Sequence, residues 1–210
     1  MNDELSRAEE SKQRILLAAA AVFARKGLDG ARVDEIAGAA RINKRMIYHY
    51  FESKENLYVE VLRYNCQKVY QLSKGSFIAG ADPRENVARA LRQYFYFLAS
   101  DEEFVRLVSW EALNRGSYSS RVLPQLLDIF QSDLGRILED GIRREYFRPD
   151  LDVQQTLLSV HAMCLAYFAR REMVQSLWPG DMMSEEMLEA RCQHILDFTL
   201  SGIMQNKGER

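Results

Sequence analysis

The chain has 210 residues, 47% of them hydrophobic, and a formal net charge of −2. That apolar content suits a sizeable core and excludes a disordered chain, while no window approaches the roughly 18 consecutive apolar residues of a membrane span. The polar start MNDELSRAEESKQR lacks the apolar stretch of a secretory signal, and Cys66, Cys164 and Cys192 have neither disulfide-framework nor zinc-ligand spacing, so a reducing cytoplasm is the expected location.

Strand-like alternation is almost absent, and apolar spacings of three and four recur throughout, so the fold class is all-α with about nine helices. In the first helix, Ser6 and Glu9 form a candidate capping box, and Ile15, Ala19, Val22 and Phe23 make one apolar face. Arg25 and Lys26 favour a helix C-terminus, and Gly27 can take the left-handed cap. Val33 to Ala40 reads as a short second helix with Asp34 and Glu35 in its first turn. Asn43 caps a third that begins at Lys44, and Ser53 caps a fourth that runs past Tyr58, Leu62, Val69 and Leu72. Asp82, Pro83 and Glu85 start a fifth, with Val87, Leu91, Tyr94 and Leu98 inward. A sixth covers Glu102 to Asn114, and a seventh Val122 to Arg144. Asp152 with Gln155 caps an eighth that reaches toward Leu177 before WPG breaks it. Ser184 caps the ninth, with Leu188, Cys192, Ile195, Thr199 and Ile203 on one face.

Charge is unevenly spread. Arg7 to Lys54 carries ten Lys/Arg against six Asp/Glu, so the remainder has a deficit of six. A basic N-terminal quarter on an acidic body is a local footprint for nucleic acid, and local sign matters more there than the total. Within it, INKRMIYHYFESKENLY (42–58) packs Tyr48, Tyr50, Phe51 and Tyr58 beside Lys44, Arg45 and Lys54. Such a segment can bury one face and offer the other to a phosphate backbone.

Two short helices joined by a tight turn, the second basic at its start, describe a helix-turn-helix. Val33, Ile36, Ala37 and Ala40 can pack on Ile47 and on the first helix. Lys44, Arg45 and Met46 then face the major groove, where Arg45 can pair with guanine and Met46 can touch a thymine methyl. Tyr48 and His49 can reach the backbone or a base edge, Arg32, Arg41 and Lys54 add attraction to phosphates, and Asn43 at the start of the helix is counted with them as a DNA contact.

The span Ile15 to Tyr58, AAAAVFARKGLDGARVDEIAGAARINKRMIYHYFESKENLY with the residues just before it, resembles the DNA-binding domain of the tetracycline-repressor (TetR) family. IYHYFESKENLY carries the family's Tyr-x-Tyr-Phe followed by Ser-Lys-Glu. The resemblance implies a DNA-binding domain at 1–55 and a larger helical effector-binding and dimerisation domain at 56–210. It implies a homodimer built on the last two helices of each subunit, a double-stranded DNA operator, and a small-molecule effector that alters DNA affinity. The chain departs from the family twice, with Arg32 where Thr or Ser is usual and Arg41 where Gly is usual. Losing the cap and placing Arg41 in a left-handed turn should each cost about 1 kcal/mol.

Candidate effector contacts are Trp110, Glu111, Asn114, Tyr118, His161, Cys164 and Tyr167, which mix aromatic bulk with isolated polar groups. The candidate dimer face is Leu188, Cys192, Ile195, Thr199 and Ile203, although the same apolar width also suits an intramolecular core. His49 has no Ser, Cys or Asp partner at local spacing for catalysis, no Glu-x-x-His pair marks a di-metal bundle, and no glycine-rich phosphate loop is present. No metal or cofactor is expected. The function expected is a ligand-responsive DNA-binding transcriptional regulator, a repressor more than an activator, and not an enzyme. A helical-bundle enzyme and an interaction adaptor without DNA binding are the alternatives; sequence-specific duplex binding separates both from it.

Overall fold

Ile15, Ala19, Val22 and Phe23 recur at helical spacing, and all four are buried on α1 (Asn2–Gly30). The computed structural model describes residues 2–122 and 133–205. α1 begins ahead of Ser6, so that serine lies inside the helix and is not its cap. Near its other end Gly27 has φ 67° and ψ 179°; its φ is positive, but the ψ is not that of the expected left-handed cap and the helix resumes to Gly30, so Gly27 kinks α1 without ending it.

α2 (Val33–Ala40), α3 (Lys44–Phe51), α4 (Lys54–Ser73), α5 (Pro83–Ser100) and α6 (Glu102–Leu113) follow. A 3₁₀ turn (Ser119–Arg121) comes before α7 (Asp133–Arg143); the expected first part of that helix, 123–132, lies outside the described residues. α8 (Val153–Ala169), α9 (Arg171–Val174), a 3₁₀ turn (Gln175–Leu177) and α10 (Glu185–Ile203) complete the order. The described residues thus contain ten α-helices against about nine expected from spacing. The extra one arises where the eighth expected helix breaks at Arg170, whose φ of −110° and ψ of 6° leave the helical region.

The caps behave as their chemistry predicts. Asp82 accepts from the Arg84 amide at 2.8 Å, Asp152 from that of Gln155 at 3.0 Å, Ser53 from that of Asn56 at 3.0 Å and Ser184 from that of Met187 at 3.4 Å.

Two compact units result. The first gathers the residues up to Gln67 with Glu103 through 122; the second gathers Lys68–Glu102 with 133–205. The expected boundary at 55/56 falls inside α4, and α6 folds with the N-terminal helices. The core of the first unit contains the face of α1 together with Val33, Ile36, Ile47, Leu57, Tyr58, Val61, Leu107 and Val122. In the second, α5 packs on α7, α8 and α10. There the end of α10 is pinned by the Arg148 amide donating to the Ile203 carbonyl at 3.0 Å, and by that of Gln205 donating to Tyr146 at 3.1 Å. The Phe147 ring fills the space where a side chain on Gly141 would sit, with a ring carbon 2.0 Å from the would-be Cβ, so only glycine fits there.

Candidate nucleic-acid interface

Val33, Ile36, Ala37 and Ala40 of α2 are buried, as is Ile47 of α3, and these contacts set the two short helices against α1. Asn43 caps α3, its side chain accepting from the Arg45 amide at 2.9 Å. Arg32 precedes α2 in extended conformation without a side-chain cap, and Arg41 ends it left-handed with φ 54° and ψ 49°. Both agree with the two departures from the family pattern.

The packing sorts the basic residues by what they touch. Lys26 and Arg25 bind Glu35 of α2 at 2.7 and 3.1 Å. Those two cations hold the Glu35 carboxyl below its ordinary value, the Lys26 hydrogen bond first. Lys44 binds Asp34 at 2.9 Å, and that hydrogen bond raises its ammonium above the ordinary lysine range. This pair is exposed on both sides and can be exchanged for a phosphate at little cost. The Lys54 ammonium is part-buried and donates to the carbonyls of Leu28 at 2.8 Å and Ala31 at 3.2 Å. Sequence reasoning placed Lys54 on DNA; here its charge is engaged by the end of α1. Arg32, Arg41 and Arg45 are exposed and form no ion pair among the described residues.

On α3, Tyr48 is 44% exposed and His49 is exposed, while Met46 is half-buried and Tyr50 and Phe51 lean on the core. The outward surface of α3 therefore offers Lys44, Arg45, Tyr48 and His49. It has the groups for major-groove reading: a fork donor at the helix start and aromatic hydroxyl and imidazole groups one turn further.

The expected effector contacts divide between the two units. Trp110, Glu111, Asn114 and Tyr118 belong to the first. The indole Nε1–H of Trp110 donates to the Ala24 carbonyl of α1 at 3.1 Å. Buried Glu111 accepts from the amides of Ser119 at 2.7 Å and Tyr118 at 3.3 Å. Tyr58 stands edge-on to both Phe23 and Tyr118, centroids 5.0 and 5.5 Å apart. Burial first, then the Glu111 carboxylate alongside, push its phenol well above the ordinary value, although the two complete no hydrogen bond of normal geometry.

His161, Cys164 and Tyr167 lie on α8 in the second unit. The Tyr94 hydroxyl stands 2.6 Å from Nδ1 of His161, and burial pulls the imidazole below its usual value. The Tyr167 hydroxyl donates to the Met182 carbonyl at 2.7 Å, and Phe95, Tyr167 and Phe168 form an aromatic cluster. Burial pushes the Cys164 thiol up to about 12, which leaves it an inert packing group.

The face of α10 chosen from periodicity needs correction. Cys192 and Ile195 have 0% exposure, Ile203 3% and Thr199 6%, and only Leu188 is half-buried. Side chains already enclosed by their own subunit have no area left to bury against a partner. On these two last long helices the exposed large apolar groups are Phe198 of α10, at 64%, and Leu158 of α8, at 53%. Periodicity missed them because both helices carry apolar residues on more than one face.

A basic reading helix, set by a helix-turn-helix on an all-helical body, defines a DNA-binding regulator. Residues 15–61 match the model of bacterial regulatory proteins of the tetR family, and 83–199 match the tetracyclin repressor-like C-terminal domain. The HTH-type transcriptional repressor NicS of Pseudomonas putida is 28% identical over 198 residues, 93% of each chain. The HTH-type transcriptional repressor KstR2 of Mycolicibacterium smegmatis is 26% identical over 211 residues, covering 99% of this chain and 98% of its own. The crystal structure of the transcriptional regulator FadR from Bacillus subtilis in complex with stearoyl-CoA shares the fold, with TM-score 0.74 at 22% identity over 91% of this chain and 98% of that one. The chain belongs to the tetR family of bacterial regulatory proteins, which makes it a transcription regulator and not an enzyme. No described helix is long and apolar enough to cross a membrane.

Proposed function

We propose that this protein is a cytoplasmic repressor that binds a pseudo-palindromic operator as a homodimer and leaves it when a small molecule binds. The observation that carries the DNA-binding part is Arg45, exposed and without an ion pair among the described residues at the start of α3. Lys44, Tyr48 and His49 share that surface, with Met46 at its edge and Arg32 and Arg41 supplying backbone attraction. Residues 1–55 then form the reader, and 56–210 carry effector binding and dimerisation. Full-length similarity to proteins named as repressors favours repression over activation.

The dimer is proposed on the outward faces of α8 and α10. Exposed Leu158, Ala162 and Ala166 on one, and Ala190, His194, Phe198 and Gly202 on the other, recur at helical spacing. Small residues beside Phe198 let partner helices approach closely. Two-fold symmetry would place one recognition helix in each half-site.

The effector is proposed to be mostly apolar with one or two polar groups. His161 beside Tyr94 is the polar contact, and the cluster of Phe95, Tyr167 and Phe168 on the same two helices supplies aromatic bulk. The FadR structure of like fold holds stearoyl-CoA, whose long acyl chain is apolar while its coenzyme A part is strongly polar, so it supports only the apolar portion of this reading. Trp110, Asn114 and Tyr118 are secondary candidates, since Trp110 is already held by α1 and Tyr118 stands against Tyr58 of α4.

Selection of bound duplexes from a random pool tests the reading. Enrichment of a motif with two inverted half-sites about one helical turn or a multiple apart is expected. No enrichment, or a single asymmetric half-site bound by a monomer, would overturn it.

A further inference from the structure

Arg41 holds a left-handed conformation at the end of α2, where any side chain is strained. It stands two residues before Asn43, the cap from which α3 departs. Arg14 of α1 reaches across to this turn. Its Nη2 donates to the Ala40 carbonyl at 2.6 Å and to the Arg41 carbonyl at 3.1 Å. The amides of the turn are bonded from the other side, Arg41 to Gly38 and Ile42 to Ala37, both at 3.1 Å. α2 therefore supplies acceptors for the turn amides, and Arg14 supplies donors for its carbonyls. These carbonyls lie past the last intrahelical bond, at the negative end of the helix dipole, so a guanidinium answers both needs.

We propose that Arg14 is a positioning residue for operator binding: its guanidinium clamps the carbonyls around Arg41 and so sets the direction in which α3 leaves Asn43. α2 has only eight residues, too short to hold its own end by helix propensity. With the Arg41 carbonyl fixed, one peptide plane separates the clamp from the residue before the cap. A phosphate contact would leave the donors of Arg14 facing outward, whereas here Nη2 is committed to protein oxygens. The proposal rests on α3 as the reader.

The test uses full-length protein and a duplex that the wild-type chain selects from a random pool. Arg14→Gln, Arg41→Gly and their double are compared, with Arg45→Ala as the control for α3. Arg14→Gln should bind about tenfold more weakly, with an unchanged dependence on salt. Arg41→Gly alone should weaken binding by its lost attraction to phosphates, but adding Arg14→Gln to it should cost little more, because glycine holds the left-handed turn without a clamp. Amide exchange at Arg41 and Ile42 should quicken in Arg14→Gln and slow again in the double, while that of buried Phe23 stays unchanged. Wild-type affinity in Arg14→Gln, strictly additive losses in the double, or a salt slope lower by about one in Arg14→Gln alone would each overturn the clamp, the last by making Arg14 a phosphate contact. If Arg14→Gln melts below the binding temperature, exchange at those two amides in the cold decides the matter. Wild-type binding by Arg45→Ala would instead remove α3 as the reader, and the positioning role with it.

Discussion

The indole of Trp110 lies against the backbone of Gly27, where a Cβ would come within 3.0 Å of two of its ring carbons. Its Nε1–H donates to the Ala24 carbonyl one turn earlier, so α6 is fastened to the kinked end of α1. A side chain at Gly27 would meet the ring and take up a strained positive φ together. Gly27→Ala should therefore cost about 1–2 kcal/mol, and Trp110→Ala about 2–4 kcal/mol through lost packing. Trp110→Phe should fall between, since it keeps the ring and loses the donor. Urea unfolding of the three variants checks the order; Gly27→Ala as stable as wild type would show that Trp110 moves aside freely.

Arg45 and Lys44 are neighbours with different duties. Arg45→Ala should lose roughly 1–3 kcal/mol on the selected duplex and relax preference at one position per half-site. Lys44→Ala should weaken all duplexes evenly, because a point charge on a flexible stem marks phosphates more than bases. Repeating the selection with each variant distinguishes them, and an unchanged motif for Arg45→Ala would end its assignment as a base reader.

Lys54 is expected to matter for stability. Its ammonium donates to Leu28 and Ala31, holding α4 to the end of α1. Lys54→Met keeps the stem and removes the donor, which should cost about 1–2 kcal/mol in denaturant unfolding. The salt dependence of operator binding should stay as in wild type. A slope reduced by about one would place this lysine on DNA after all.

Phe198 and Ile195 stand three residues apart on α10 yet differ fully in exposure, at 64% and 0%. Phe198→Glu should give a folded monomer that binds the operator weakly, since it repels a partner while leaving the core intact. Ile195→Glu should fail to fold, because it buries an unpaired charge. Sedimentation with circular dichroism reads both; a dimeric Phe198→Glu protein would move the interface elsewhere.

His161 makes the second unit sensitive to acid. Burial holds the imidazole below its ordinary value of 6.5, so the unfolded chain binds its proton more readily than the folded one. Its contribution is complete above that ordinary value and is lost as pH falls through the lower folded value. Between pH 7 and 5 the wild type should lose more melting temperature than His161→Gln, which keeps a partner for Tyr94 without titrating. Parallel curves for the two proteins would mean that the proton enters without cost.

Local chemistry made much of this protein legible before any coordinates. Asn43, Ser53, Asp82, Asp152 and Ser184 cap the helices they precede, because a cap needs only its own side chain and an amide two or three residues on. The buried stripe of α1 and the basic start of α3 follow from the helical repeat. What each long side chain touches did not follow. Arg14, Lys26 and Lys54 find partners 9 to 26 residues away, and a basic residue looks the same in sequence whether it meets a carbonyl, a carboxylate or open surface. Periodicity likewise marked a single apolar face of α10 and passed over Phe198, and only packing against α5 and α8 decided that Ile195 is buried and Phe198 exposed. Local hydrogen bonds and helical spacing are properties of neighbours in the chain. Burial and long-range pairing depend on which surfaces meet, and that is settled only when the helices come together.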